Sequence, residues 1–306
     1  MKTILVPLDH TATAEHTLAY ANKLAVRWPA EVVLLYCLPA APGEAAAALA
    51  TAELRLRGLV ERLRYQQLTR QNGRRIRYRY RVLAGCLPDH LPAEAAACAA
   101  DLVLMGLEHI DCCREAAPDN HAVSLAALVA CPVLVVPAGR RSLPHRLVFS
   151  ADFTAAAPGL LLHLAALADA FPAPLDLVQV YAPADRPKRR QLQQALSSAA
   201  AQLAWSEPVV QHLLEDESQV EGVDEFCART QAELLVIAPA GMGQLVQYFA
   251  TCYTKTRAYH TQIPVLVLPS IRPGTAPETC CAQCARHSAR QVPNAVDVAY
   301  HTLSWV

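Results

Sequence analysis

The sequence predicts an α/β protein with two tandem, doubly wound domains, each on a five-stranded parallel sheet, followed by a short C-terminal tail. The first 25 residues are echoed at 144–168, and a repeat this long indicates two whole domains rather than a solenoid. Two later segments also recur, 100–106 as 232–238 and 131–137 as 263–269. The apolar runs VVLLY and PVLVV are continuous rather than alternating, which is typical of strands buried on both faces of a parallel sheet.

Strand and helix patterns alternate along the chain, which predicts βαβ units with right-handed crossovers. In the first half we predict strands at about 2–7, 31–38, 75–83, 101–106 and 132–137, and helices at about 12–28, 44–71, 88–99 and 121–130. In the second half we predict strands at about 146–150, 175–181, 208–214, 233–238 and 263–269, and helices at about 155–170, 187–205, 218–230 and 247–261.

The predicted domains are 1–139 and 143–270, and residues 271–306 form a cysteine-containing tail outside the repeat. Gly139 and Pro144 interrupt the short polar connection between the halves. The tail ends in an apolar stretch, so we expect Val296, Val298, Leu303 and Trp305 to pack on the tandem core.

The composition excludes several classes of function. The 306 residues contain 27 basic and 27 acidic side chains, so no net charge recruits nucleic acid or an anionic membrane. The start of the chain does not read as a signal peptide, and no run reaches the roughly 18 apolar residues of a membrane span. A cytoplasmic protein is expected, in which the 11 cysteines are thiols or metal ligands.

One predicted strand is strongly charged. Arg75, Arg77, Arg79 and Arg81 alternate with apolar and aromatic residues, so a strand would place all four guanidinium groups on one face. A nucleic-acid or anion stripe is one interpretation. Because the overall charge is balanced, we favour the other: a sheet edge that charge protects from aggregation.

The segments ILVPLD, DLVLMG, CPVLVVP and IPVLVLP together resemble the universal stress protein family in its tandem form, over about residues 1–270. The resemblance implies strand order 3-2-1-4-5 in each half. It also implies that the fifth strands pair within the chain about a pseudo-twofold axis, with Val133–Val136 antiparallel to Val265–Leu268. Further homodimerisation and an unidentified protein partner remain compatible with it.

Nucleotide-binding members of that family carry the motif G-x2-G-x9-G-[ST] after the fourth strand. Its glycines let backbone amides approach phosphate at a helix N-terminus. In the first half Gly106 matches, but His109 replaces the second glycine and Asp119–Asn120 replaces the final pair. The side chain of His109 hinders the close approach of phosphate to the backbone, and the carboxylate of Asp119 repels it. The first half is therefore not expected to bind ATP in the family manner.

The second half keeps more of the motif. Ala238 replaces the first glycine, Gly241 matches the second, and Thr251–Cys252 replaces the final pair. Gly243 adds freedom to the predicted loop, and no acidic residue lies between 238 and 257. Asp9 and Asp152 match the Asp that nucleotide-binding relatives place near adenosine, although an Asp at a strand-to-helix junction is also an ordinary turn residue.

No catalytic motif is found. The sequence has no G-x-S-x-G, H-E-x-x-H or Walker A pattern. The tail has Cys280, Cys281, Cys284 and His287 at close spacing, but a tetrahedral zinc site would need a better-placed fourth ligand. We therefore expect no metal there, with a zinc or thiol-redox sensor as the alternative.

The function expected from the sequence is a cytoplasmic, non-catalytic binding or regulatory module of the stress response. No cofactor is expected, because the phosphate-binding motif is degenerate in both halves. ATP or AMP binding by the second half, with slow hydrolysis, is the alternative.

Overall fold

The strands of both halves join in one sheet, which has eleven strands in the described part of the chain. The computed structural model describes residues 1–8, 12–38, 45–69, 75–107, 121–139, 141–154, 158–249, 259–269 and 301–302. The first half contributes strands β1 (Lys2–Leu8), β2 (Ala30–Leu38), β3 (Tyr78–Ala84), β4 (Leu102–Leu107) and β5 (Val133–Pro137). Its helices are α1 (Ala12–Arg27), α2 (Ala45–Thr69), α3 (Leu87–Ala97) and α4 (His121–Ala126).

The second half repeats this succession. Its strands are β6 (Leu147–Ser150), β7 (Leu175–Tyr181), β8 (Val209–Glu215), β9 (Leu234–Ile237) and β10 (Val265–Val267). Its helices are α5 (Pro158–Ala165), α6 (Arg189–Gln202), α7 (Gln219–Thr230) and α8 (Met242–Phe249), with 3₁₀ turns at Pro183–Lys188 and Tyr259–Gln262. The last predicted helix is misplaced: we expected 247–261, whereas α8 begins at Met242 and ends at Phe249.

The sheet order confirms the predicted fold class. From one edge to the other it runs β11-β3-β2-β1-β4-β5-β10-β9-β6-β7-β8, where β11 is the short strand His301–Thr302. Each half therefore has the order 3-2-1-4-5, and the two halves meet at their fifth strands. Within each half the strands are parallel, and strand order reverses between β1 and β4 and between β6 and β9.

The seam between the halves is an antiparallel pairing of β5 with β10, as expected from the resemblance. Val133 is opposite Val267, Leu134 is opposite Leu266, and Val135 is opposite Val265. Leu134 and Leu266 are equivalent residues of the two copies, so the local twofold axis passes between them.

Helices cover both faces of the sheet. Side chains of α1, α2, α5 and α6 pack on one face, where they form a continuous apolar core that includes Leu134 and Leu266. Side chains of α3, α4, α7 and α8 pack on the other face with Val133, Val135, Val265 and Val267. Each core extends across the seam without interruption. Because both faces are covered, the inner strands are apolar on both sides, and this explains their continuous hydrophobic runs.

The arginine-rich strand is a network of ion pairs on the face covered by α3. Arg79 pairs with Glu31 on the neighbouring strand, and Arg81 pairs with Glu94 of α3 at 3.4 Å. The side chains of Arg79 and Arg81 are 18% and 12% exposed. These two guanidinium groups therefore do not form an exposed stripe for a nucleic acid, and their charge is neutralised inside the fold.

The second half has an equivalent pair. Glu31 lies two residues before Val33, which is opposite Arg79, and Asp176 lies two residues before Val178, which is opposite His212. His212 Nε2 lies 2.8 Å from Asp176 Oδ1, and Arg146 donates to Asp176 Oδ2 at 3.2 Å. Both halves thus carry an acid on the second strand that pairs diagonally with a base on the third.

The tail reaches the arginine-rich edge of the sheet. In β11, His301 is opposite Tyr80 and Thr302 is opposite Arg79, in antiparallel register. The outermost strand at this edge is therefore β11, and β3 is second from the edge instead of at the edge as expected. Val296, Val298, Leu303 and Trp305 lie outside the described residues, so their predicted packing stays a prediction.

Among the helices that the structure describes, none combines the length and the apolar character that crossing a membrane requires.

Leu266→Ala tests the seam. Leu266 is fully buried opposite Leu134, and we expect the substitution to lower the free energy of unfolding in urea by about 2 to 5 kcal/mol, because it leaves a cavity in the shared core. Leu54→Ala, on an exposed position of α2, is the matched control and should change it by less than about 0.5 kcal/mol. Equal effects of the two substitutions would contradict the buried seam.

Glu31→Ala tests the ion-pair network. Loss of the carboxylate removes the ion pair of Glu31 with the mostly buried Arg79, so we expect the free energy of unfolding to fall by about 3 kcal/mol. Glu15→Ala removes an exposed carboxylate that pairs with Arg62, and should cost about 0 to 1 kcal/mol. The double substitution of Glu31→Ala with Arg79→Leu should recover much of the lost free energy of unfolding. Urea denaturation of the unmodified protein, the two single variants and the double variant checks this.

Candidate functional site

The candidate site of the second half lies at the carboxyl ends of β6 and β9, where the strand order reverses. Open α/β sheets bind ligands at this kind of crevice. Ala238 N, directly after β9, donates to Ser150 O at the end of β6 at 3.3 Å. This contact brings the segment around Asp152 next to the beginning of the loop that carries Ala238 and Gly241.

Asp152 is exposed, and its carboxylate is engaged by neighbouring residues. Asp152 Oδ1 accepts hydrogen bonds from Thr154 N at 3.0 Å, from Thr154 Oγ1 at 2.6 Å and from Gln179 Nε2 at 3.1 Å. The two bonds from Thr154 close a local turn, which is an ordinary role for Asp after a strand. Asp152 therefore shapes the junction between β6 and α5 whether or not a ligand binds.

Gln179 of β7 is the polar group beneath Asp152. Its side chain is almost completely buried, and because a carboxylate only accepts hydrogen bonds, the amide nitrogen must face Asp152. The buried Oε1 has no hydrogen-bond partner within the described residues. A buried acceptor without a partner costs free energy, so a donor group entering here would gain a hydrogen bond.

The loop after β9 is short because α8 begins early. Gly241 immediately precedes the helix and Gly243 lies in its first turn, so Gly243 does not extend a loop as expected. A Cβ atom on either glycine would meet nothing within 4 Å, and neither glycine has a positive φ. Neither residue is thus required by backbone conformation, and both border open space.

The N-terminus of α8 is capped by the side chain of Gln244, a residue of the same helix. Ala240 N donates to Gln244 Oε1 at 2.7 Å, and Gln244 Nε2 donates to Gln219 Oε1 at 2.6 Å. The amide of Ala240 is one of those that a phosphate loop would turn toward its ligand. Here the N–H of Ala240 is already hydrogen-bonded to the side-chain oxygen of Gln244, a contact that the sequence pattern did not reveal.

The first-half site is only partly described. Gly106 lies inside β4, opposite Val136, within the strand that the sequence predicted at about 101–106. Helix α4 begins at His121, directly after Asp119 and Asn120, as predicted. Asp9, His109, Asp119 and Asn120 themselves lie outside the described residues, as do Thr251 and Cys252 of the second half and Cys280, Cys281, Cys284 and His287 of the tail.

Sequence reasoning missed a buried acid–base pair. Asp224 of α7 accepts from His260 N at 2.7 Å, and His260 Nδ1 lies 2.6 Å from the same carboxylate oxygen. The side chains are 0% and 1% exposed, so the pair has no access to a substrate. It fastens α7 to the 3₁₀ turn before β10, and since the two residues are 36 positions apart no local signal could have found it.

The described cysteines are free thiols: Cys86, Cys98 and Cys227 are buried, and Cys37 and Cys131 are partly buried. Cys98 and Cys227 belong to the core on the face covered by α3 and α7, as expected of small apolar residues. Burial raises the pKa of the Cys131 thiol to about 11, and raises the pKa of Cys227 well above the usual range. In the described part of the chain, no three His, Cys, Asp or Glu side chains are grouped closely enough to hold a metal ion.

The comparisons with known proteins identify the family of the first half. A model of the universal stress protein family matches residues 1–137. The similarity to the universal stress protein family is thus shown for the first half of the chain. No curated protein matches the sequence.

Solved structures extend the likeness of fold over both halves. A universal stress protein from Archaeoglobus fulgidus DSM 4304 is 13% identical and superposes with a TM-score of 0.62 over 87% of this chain and 95% of that one. A putative universal stress protein from Pseudomonas aeruginosa UCBPP-PA14 is 17% identical, with a TM-score of 0.54 over 88% and 93% of the two chains. A functionally unknown protein from Pseudomonas aeruginosa PAO1 is 16% identical, with a TM-score of 0.56 over 95% and 98%.

Alkylation tests the burial of the thiols. At pH 8 a thiol with a pKa near 11 is only about 0.1% thiolate, and the thiolate is the form that reacts. We expect Cys131 and Cys227 to resist iodoacetamide in the native protein and to react fully in urea, as peptide mass spectrometry would show. Rapid labelling of Cys227 in the native protein would contradict its burial.

Proposed function

We propose that this protein is a cytoplasmic, non-catalytic binding or regulatory module of the stress response, in which neither half binds nucleotide through the family's phosphate loop. The observation that carries the proposal is the closure of the second-half loop by Gln244. The side-chain oxygen of Gln244 accepts the hydrogen bond from Ala240 N that a phosphate would need. The side-chain nitrogen of Gln244 donates to Gln219, which fixes its orientation. A phosphate would have to displace both side chains before it gained a bond to Ala240.

The position of α8 supports the same proposal. In the family motif the final Gly-Ser or Gly-Thr pair opens the helix, and nine residues separate it from the second glycine. Here the helix begins at Met242, one residue after Gly241, so the long loop of the motif is replaced by helix. Beyond the first turn of the helix, the backbone amides are used within the helix and cannot wrap a phosphate.

The absence of a catalytic role is part of the proposal. The acid–base pair with the geometry of a relay, Asp224 and His260, is sealed inside the fold between α7 and a 3₁₀ turn. Asp152 holds its own turn through Thr154. Neither carboxylate is arranged as a general base beside an open pocket, which is what a hydrolytic function would require.

Nucleotide binding by the second half is the alternative, and two observations favour it. Gly241 borders open space, so a phosphate could approach the backbone there without a steric clash. The unpartnered Oε1 of Gln179 offers an acceptor near Asp152, of the kind that an adenine amino group or a ribose hydroxyl could satisfy.

Calorimetric titration of ATP and AMP separates the two functions. We expect no saturable binding tighter than about 1 mM by the unmodified protein, since the loop is closed. Gly241→Asp places a carboxylate in the open space beside α8 and should change nothing. Gly58→Asp in α2 is the matched control, because a Cβ atom on Gly58, as on Gly241, would meet nothing within 4 Å.

The contrary result is specific. Micromolar affinity that disappears in Gly241→Asp and survives in Gly58→Asp would establish the nucleotide-binding alternative. A Gln244→Ala variant extends the test, because it frees Ala240 N without altering the core. If Gln244 is what closes the loop, this variant should bind ATP more tightly than the unmodified protein does.

A further inference from the structure

A pocket of 310 Å³ opens at the amino ends of β1, β2 and β3. Met1, Ala25, Pro29, Ala30, Arg75 and Arg77 line it. The pocket belongs to the first half and is formed by other strands than the candidate site of the second half, which lies at the carboxyl ends of β6 and β9. Its volume is at the lower end of the range for small-molecule sites, which suits a compact ligand.

The walls of the pocket are small and apolar. Ala25 of α1 and Ala30 of β2 are nearly inaccessible, so their methyl groups form a fixed surface rather than a mobile rim. Lys2 N donates to Pro29 O at 3.2 Å, which fixes the turn that joins α1 to β2 against the first strand. The pocket therefore has a rigid apolar side, and its guanidinium groups come from the segment that precedes β3.

The charge of Arg77 is incompletely balanced. Its Nε lies 3.8 Å from Glu31 Oε2, while the other oxygen of the same carboxylate pairs with Arg79. The carboxylate of Glu31 thus contacts two guanidinium groups. The Arg77 side chain is 51% exposed, and within the described part of the chain Glu31 is its only ionic partner. The nearby cation Lys2 is paired with Asp101 at 2.9 Å.

We propose that this pocket binds a small amphipathic anion, with a carboxylate or phosphate on Arg77 and Arg75 and an apolar body against Ala25, Pro29 and Ala30. A guanidinium offers several donors in a planar fork that matches both kinds of anion. The ligand's charge would complete the neutralisation that Glu31 alone leaves unfinished. This site does not depend on whether the second half binds nucleotide.

The three methionines provide a site-specific readout. Met1 lines the pocket, Met105 is buried in β4, and Met242 begins α8 in the other half. With protein labelled at the methionine methyl carbons, titration with octanoate or octyl phosphate should shift the Met1 signal saturably and leave Met105 and Met242 unmoved. The probe that binds more tightly identifies the head group.

Matched variants test the role of the guanidinium. Arg77→Ala should weaken binding about tenfold or more, because a charge-assisted hydrogen bond is lost. Arg62→Ala removes an arginine of similar exposure, 57%, which pairs with Glu15 on the surface, and should leave binding unchanged. The uncharged 1-octanol should bind at least about tenfold more weakly than octanoate.

Three results would overturn the proposal: no saturable shift of Met1 with either probe, equal affinity of Arg77→Ala and the unmodified protein, or equal losses in Arg77→Ala and Arg62→Ala. Arg75→Ala is a second variant in case Arg77→Ala unfolds, and thermal melts of each variant show whether it is folded.

Discussion

The antiparallel pairing of β5 with β10 is the interaction on which the architecture depends. It joins two parallel sheets through three residue pairs centred on Leu134 and Leu266. Both apolar cores run across it, because alternate side chains of these two strands belong to opposite faces. Without this seam each half would expose the hydrogen-bonding edge of its fifth strand and the flank of each core.

Both halves contain the same arrangement of an acidic and a basic side chain, but with different residues. An acid on the second strand meets a base on the third strand in both, but the pairs are Glu31 with Arg79 and Asp176 with His212. Arginine offers several donors in a planar fork, whereas histidine offers a single ring nitrogen to its partner. The first half thus has a guanidinium–carboxylate pair on the face covered by α3, and the second half has an imidazole–carboxylate contact.

Much of the fold could be predicted, since buried parallel strands leave continuous apolar runs and the repeat doubles the evidence. The start of α8 was missed because Gly241 and Gly243 suggested a loop, although Leu245, Tyr248 and Phe249 already had the spacing of a buried helical face. The cap from Gln244 and the pair of Asp224 with His260 depend on tertiary distances that no local pattern encodes. The pocket beside Arg77 likewise arises where three strand beginnings and a helix end come together.

The location of the twofold axis inside one polypeptide has a consequence for sequence change. In a symmetric dimer every substitution occurs twice, so a larger side chain at the axis meets its own copy and the clash is doubled. In this chain the two positions at the axis are separate codons, and a gain of volume on one side can be met by a loss on the other. The same freedom applies to the two crevices where strand order reverses. One can gain a contact such as that of Gln244 with Ala240, while the other follows a different course.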